Sequence, residues 1–126
     1  MSVILALSSG YLMYKMFADK HDTPFIHDII KKAHKYSGID PELFNKFLKN
    51  IKLSIEKIND PLISSKHLYD ALDYLEDIAL YNNYDIHEEI REIIIELAYE
   101  VEKRILEKSI ELNKPFNPRY LNDRIY

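Results

Sequence analysis

A row of carboxylates in the second half of the chain is the set of side chains best placed to do chemistry. Asp70, Asp73 and Asp77 recur at intervals of three and four residues, which places them on one face of a helix, and Glu76 lies beside them. Paired carboxylates act as general acid and base only in a cleft that gives the two groups different environments. No such cleft is indicated, so we expect a solvated face or an acidic patch (Asp70, Asp73 and Asp77) that attracts a basic partner or the chain's own lysine-rich helix.

Histidines form the second candidate group, because the dipeptide His-Asp occurs twice, as His21-Asp22 and His27-Asp28. This resembles the HD superfamily of helical metal-dependent phosphohydrolases, which use an adjacent His-Asp pair with a distant His and a distant Asp. The resemblance implies a metal site and phosphohydrolase activity. Candidates for the distant ligands are His34, His67, Asp70 and Asp73. The resemblance covers only this dipeptide, which is common by chance.

Other metal signatures are missing from the sequence. His27 and His34 share a helical face but lie seven residues apart, about 10.5 Å along a helix, which is too far to bind one metal ion. The chain contains no Glu-x-x-His pair, so the pattern of di-iron bundles is absent. We therefore predict a non-enzymatic protein with no catalytic residues, no cofactor, no bound metal and no small-molecule substrate.

The N-terminus is the most hydrophobic part of the chain. Residues 1–14 contain no charge, and the apolar run continues past Lys15 to Ala18, about the shortest length that crosses a bilayer. The residues predicted to form a membrane anchor are Val3, Ile4, Leu5, Leu7, Tyr11, Leu12, Met13, Met16 and Phe17. The alternative to a membrane anchor is that these residues form a helix buried within the protein. The nearby lysines all follow the run, which predicts that the body faces the cytoplasm or an equivalent interior.

The stretch 85–112 organises the rest of the chain. Its apolar residues Ile86, Ile90, Ile94, Leu97, Val101, Ile105 and Leu112 recur at steps of three, four and seven, as on one face of a helix. The other faces are rich in glutamate, and no Gly or Pro interrupts the stretch. Such a helix would be about 42 Å long and must be covered by other helices.

Three shorter amphipathic helices precede it. The first is predicted after Thr23-Pro24 with a stop at Gly38, the second from Asp40-Pro41 to Asn59, and the third from a Ser64 or Ser65 cap to Asn82-Asn83. Short loops favour antiparallel neighbours. The predicted fold is all-α: a hydrophobic N-terminal helix (1–20), a small four-helix antiparallel bundle made of helical hairpins (21–113), and an extended C-terminal arm (114–126).

The C-terminal arm changes character after Asn113, where two prolines enter and helical periodicity stops. It is too apolar for a solvated end, and Tyr and Arg are enriched at interface hot spots. We predict that it binds a neighbouring subunit, the alternative being a strap over the chain's own bundle. The predicted interface residues are Phe116, Arg119, Tyr120, Arg124, Ile125 and Tyr126.

Composition narrows the class of protein. The 126 residues include no Cys, so disulfides and cysteine-bound metals are excluded. Residues 58–112 hold five basic and fourteen acidic side chains, which argues against nucleic-acid binding.

These features favour a membrane-tethered structural subunit that binds other protein subunits and a lipid bilayer. A viral minor capsid protein beside an internal membrane, or an accessory subunit of a mitochondrial membrane complex, would fit. The alternative is a soluble helical adaptor that binds a basic protein. A metal-dependent phosphohydrolase is a third, remote alternative.

Overall fold

A computed structural model describes residues 24–82 and 84–121, and all of its regular structure is helical. The helices are α1 (Pro24–Ala33), α2 (Pro41–Glu56), α3 (Pro61–Leu80) and α4 (Tyr84–Leu112), with a 3-10 turn (His34–Tyr36) after α1. The prediction of an all-α bundle is confirmed. The predicted N-terminal helix and membrane anchor lie outside the described residues. Within the described ranges, none of the helices combines the length and hydropathy needed to span a bilayer.

The four helices run alternately up and down. Ser54 of α2 meets Ser64 of α3, and α3 in turn contacts α4, where Tyr69 donates a hydrogen bond to Glu102. On the other side of α4, Lys32 of α1 pairs with Glu96 at 3.4 Å. α2 therefore packs on α3, α3 on α4, and α4 also on α1. With 29 residues and a length of about 43 Å, α4 spans the whole bundle.

Two helices begin with the same local signal. Asp40 accepts a hydrogen bond from the Leu43 N–H at 3.1 Å, and Asp60 accepts one from Ile63 at 3.5 Å, with a proline at the first helical position in each case. The predicted start of α3 at Ser64 or Ser65 was therefore wrong. An Asp-Pro pair begins this helix as it begins α2, and both serines lie inside the helix.

The core follows the predicted apolar stripes. The predicted stripe residues of α2, α3 and α4 whose burial is described are buried, with two exceptions. Ile58, just after α2, is partly buried, and Leu112, predicted to continue the stripe at the end of α4, is 37% exposed. Where α2 crosses α3, Ser54 Oγ donates to the Ser64 carbonyl at 2.8 Å and Ser64 Oγ to the Ser54 carbonyl at 2.6 Å. Both serines are fully buried. This reciprocal pair satisfies the hydroxyls and lets the two backbones approach closely.

The end of α4 turns the chain back along the bundle. Asn113 adopts a left-handed conformation (φ 54°), and the Lys114 N–H bonds the Ser109 carbonyl at 2.9 Å, as in a Schellman cap. Lys114 Nζ then donates to the Asn59 carbonyl in the α2–α3 loop at 2.7 Å. The arm therefore leaves the lower end of the bundle, defined by the α3 N-terminus and the α4 C-terminus, and returns towards its middle.

Candidate functional site

The most distinctive polar arrangement in the described residues is built around Glu102, a carboxylate on α4 with no exposed surface. The backbone N–H of Arg119 donates to its Oε2 at 2.9 Å, and those of Tyr120 and Leu121 donate to its Oε1 at 2.9 Å each. The Tyr69 hydroxyl donates to Oε2 from α3. We call Glu102, Tyr69 and the N–H groups of 119–121 the Glu102 site.

The geometry explains how a charged group is held inside the bundle. A buried carboxylate is costly unless hydrogen bonds satisfy its oxygens, and bonds to a charged acceptor are stronger than neutral ones. Here three successive N–H groups point at one carboxylate because the chain bends at Arg119 and becomes helical at Tyr120 and Leu121, and the first amides of a helix have no partner within it. Glu102 thus acts as the cap of that turn and fixes the arm to the bundle.

Aromatic side chains surround the Glu102 site. The Arg119 guanidinium lies over the Tyr69 ring, 4.1 Å from its centroid, and the rings of Tyr69 and Tyr120 are 6.4 Å apart. Burial, then the bond to Glu102, raises the pKa of Tyr69 well above its usual range. Burial and the Glu102 charge also raise the pKa of Tyr120. Both phenols therefore stay neutral, and Tyr69 stays a donor to the carboxylate.

An open cleft of about 640 Å³ begins beside the Glu102 site and runs between α3 and α4. Its floor is apolar, formed by Ile90, Ile94 and Ile95. Polar and aromatic side chains complete the lining: Glu76, His87, Arg91, Tyr99 and Tyr120. We call this space the α3–α4 cleft. Tyr120 of the arm closes its lower end.

The acidic patch lies on α3 near this cleft. Among the described residues, Asp70, Asp73 and Asp77 form no ion pair. Two lysines of α2 instead pair within their own helix, Lys46 with Glu42 and Lys52 with Glu56. Burial raises the pKa of Asp73, and the charges of Asp70 and Asp77 raise it further, while Arg119 acts in the opposite direction. The patch is therefore a group of carboxylates that repel one another.

The described part of the arm contacts the chain's own bundle. Phe116 and Tyr120 pack against the core, Leu121 is buried, and Arg119 rests on Tyr69. These contacts are the ones expected from the alternative interpretation of the sequence, in which the arm is a strap over the chain's own bundle. Arg124, Ile125 and Tyr126 lie outside the described residues, and binding of the arm to another subunit stays a prediction.

The histidines do not converge. His27 is on α1 and His34 begins the 3-10 turn that follows it, whereas His67 is on α3, where its Nδ1 lies 3.1 Å from Asn50 Oδ1. Burial lowers the pKa of His34, and His27 lowers it further. In residues 24–82 and 84–121, no three His, Asp or Glu side chains are close enough together to hold a metal ion. His21 and Asp22 lie outside these ranges.

Sequence reasoning missed Glu102 and the nearby Tyr69. A signal was present, since Ile95, Ala98, Glu102, Leu106 and Ser109 follow one another at steps of three and four. A single carboxylate within a row of apolar and small residues indicates a half-buried helical face that something else must cover. The short apolar arm is the segment that covers it.

Neither protein-family models nor curated proteins nor solved structures give a match to this chain.

Proposed function

We propose that this protein is a non-enzymatic structural subunit, tethered to a membrane through residues 3–18, whose helical bundle joins larger components. The observation that carries the proposal is the distribution of exposed large apolar side chains among the described residues. Seven of the eight gather at the two ends of the bundle, and the eighth, Phe25, lies beside the middle of α4. At the lower end they are Leu62 and Ile63 of α3 with Ile110 and Leu112 of α4. At the upper end they are Ile39, Leu80 and Tyr81.

Such grouping differs from the single exposed apolar residues that any protein surface has. Leu62, Leu80, Tyr81 and Ile110 are 62%, 64%, 76% and 72% exposed, which is costly without a covering partner. The sides of the bundle are strongly charged, as the ion pairs Lys32–Glu96 and Lys108–Glu111 illustrate. A rod with polar sides and apolar ends is suited to end-on contacts.

The position of α1 supports placing the membrane at the lower end. α1 runs antiparallel to α4, so Phe25 in its first turn lies beside Tyr99 and Glu100. The first turn of α1 thus lies beside the middle of α4, and α1 runs from there towards the upper end. The hydrophobic residues 3–18 and the apolar side chains of that end would then face the same bilayer, and the upper end would face a protein subunit.

Membrane tethering is tested by flotation of the full chain with lipid vesicles after a carbonate wash. The expected result is flotation of the full chain, no flotation without residues 1–18, and no flotation when Leu7→Arg and Leu12→Arg place charges in the apolar run. Leu80→Arg at the upper end is the matched control and should float normally. Equal flotation of all variants, or a full chain that stays in solution, would contradict the proposal.

A soluble adaptor for a basic protein is the second candidate, favoured by the acidic patch, whose three carboxylates form no ion pair among the described residues. Under this alternative, replacing Asp70 and Asp77 by asparagine would abolish binding to a basic partner, and residues 1–18 would be needed for solubility. The structural-subunit proposal instead expects the chain without residues 1–18 to remain a folded, soluble helical body. Circular dichroism and sedimentation of that truncated chain therefore separate the two.

A further inference from the structure

The α3–α4 cleft is the open continuation of a groove that the arm already fills in part. Below the cleft, residues 119–121 lie against both helices, on Tyr69 of α3 and on Glu102 of α4. Tyr120 belongs to both parts of the groove, because its N–H donates to Glu102 while its side chain lines the cleft. The cleft therefore extends an interface that the chain's own arm makes.

The filled part shows which side chains this groove accepts. Phe116 and Tyr120 pack against the core and Leu121 is buried, so most of the contact is apolar or aromatic. Burial raises the pKa of Asp73, and the charge of Arg119 opposes that shift, which places the guanidinium near the acidic side of α3. The segment that fills the groove thus combines apolar and aromatic side chains with a positive charge on the α3 side.

The open part has an equally apolar floor. Its lining on α4 extends from Tyr99 to His87, a separation of twelve residues or about 18 Å of helix. Between them, Ile90 and Ile94 are buried, whereas Ile95 is partly exposed to the cleft. An open cleft of about 640 Å³ between two antiparallel helices can take the side chains of one apolar stripe of a third helix.

The two sides of the cleft carry opposite charges. Burial and the charge of Glu102 raise the pKa of Tyr120, and the charges of Glu76 and Asp73 raise it further, so these two carboxylates lie near the cleft on its α3 side. Arg91 lines the α4 side. Within the described part of the chain, Glu76, Asp73 and Arg91 form no ion pair. A complementary partner therefore has basic side chains towards α3 and an acidic side chain towards Arg91.

We propose that the α3–α4 cleft binds a helix of a partner protein, whose apolar stripe rests on the isoleucine floor and whose Lys or Arg side chains face Glu76. An acidic side chain on the other flank of that helix pairs with Arg91. Tyr120 limits the partner helix at the lower end of the cleft, so the arm and the partner lie one after the other along the same groove. This contact goes beyond the proposed structural role, because it does not depend on the membrane tether and adds a lateral partner to the two ends of the bundle.

A displayed library of helical peptides with randomised surface positions tests the proposal on the full chain. Affinities of selected peptides are measured for the parent chain, for Ile95→Lys on the cleft floor and for Glu76→Lys on its acidic side. The matched control is Lys49→Glu, a charge change at an exposed position of α2. The expected result is a group of peptides that lose at least about tenfold in affinity with both cleft variants but not with the control. These peptides should share an apolar stripe at steps of three and four, flanked by Lys or Arg.

Charge exchange makes the test specific to this geometry, and circular dichroism should show that both cleft variants remain folded. A selected peptide whose Lys and Arg residues are changed to Glu should bind Glu76→Lys more tightly than the parent chain. Failure of this exchange, or peptides that are insensitive to Ile95→Lys, would overturn the proposal. Two further results would also overturn it by assigning the cleft to another occupant. Affinity that rises at least about tenfold on removal of residues 122–126 would assign it to the chain's own end, and dimers of the parent chain that are absent with Ile95→Lys would assign it to a second copy.

Discussion

Replacing Glu102 by glutamine tests how the arm is held, with almost no change in side-chain shape. The glutamate accepts four hydrogen bonds, from Tyr69 and from the N–H groups of residues 119–121. Glutamine keeps one acceptor oxygen, loses the charge and turns an NH₂ donor towards N–H or O–H groups. Bonds to charged groups contribute about 1.5–3 kcal/mol each, against about 0.5–1.5 for neutral ones.

Simple addition of these losses would overstate the effect, because the arm can detach and let residue 102 reach water. The free energy of arm docking therefore sets the upper limit. We expect Glu102→Gln to lower the free energy of unfolding by about 2–4 kcal/mol, somewhat less than the loss of one partner of a fully buried ion pair. Urea unfolding of the full chain measures it as a lower midpoint, and hydrogen exchange should show loss of protection at the amides of 119–121.

The matched control is Glu107→Gln, an exposed glutamate on the same helix, which should change stability by less than about 0.5 kcal/mol. Tyr69→Phe removes one of the four donors and should cost about 1 kcal/mol, and less than that when Glu102→Gln is already present, since both changes act on one network. If Glu102→Gln unfolds at the same urea concentration as Glu107→Gln and its arm amides stay protected, the Glu102 site does not hold the arm.

Three further predictions concern pH and the core. The pKa of Tyr69 is raised in the folded state, so its contribution to the stability of the fold is complete below the unfolded pKa of about 10 and is lost as pH rises further. Unfolding curves should therefore show stability falling above that pH, and falling less steeply for Tyr69→Phe. The pKa of Asp73 is also raised, but its carboxylate is exposed and screened by solvent, so Asp73→Asn should stabilise the fold by no more than a few tenths of a kcal/mol at pH 7. The gain should disappear near pH 3, where Asp73 is protonated, as thermal melts at both pH values would show. Leu97→Asp places an unpaired carboxylate at a fully buried site and should lower the free energy of unfolding by more than about 4 kcal/mol, seen as loss of helical circular dichroism. A small effect on stability would mean that this face of α4 is not in the core.

Periodicity was enough to predict the helices and their buried faces, because apolar residues at steps of three and four leave few other arrangements. The residues from Ile90 to Ile105 illustrate this: the stripe was read directly and is buried. The start of α3 was misplaced because two serines and Asp60 are all competent caps, and only the fold shows which one has the free N–H groups beside it.

The Glu102 site was harder to predict for a different reason. Three of its four donors are backbone N–H groups of residues 119–121, and a backbone amide has no sequence signature. Its acceptor resembles the many exposed glutamates of α4 unless its helical face is followed residue by residue. The direction of the arm depends on the left-handed turn at Asn113, which an asparagine permits without requiring.

The proposed structural role is tested most directly by the size of the particle that contains this chain in its native membranes. Membranes are solubilised in mild detergent, and the mass of the complex is measured by native electrophoresis or sedimentation. The account predicts a stable complex far larger than the 15.0 kDa chain, which is lost when Leu80→Asp and Tyr81→Asp alter the upper end but not with Glu107→Gln. A monomer that leaves the membrane without detergent, with or without these substitutions, would contradict it.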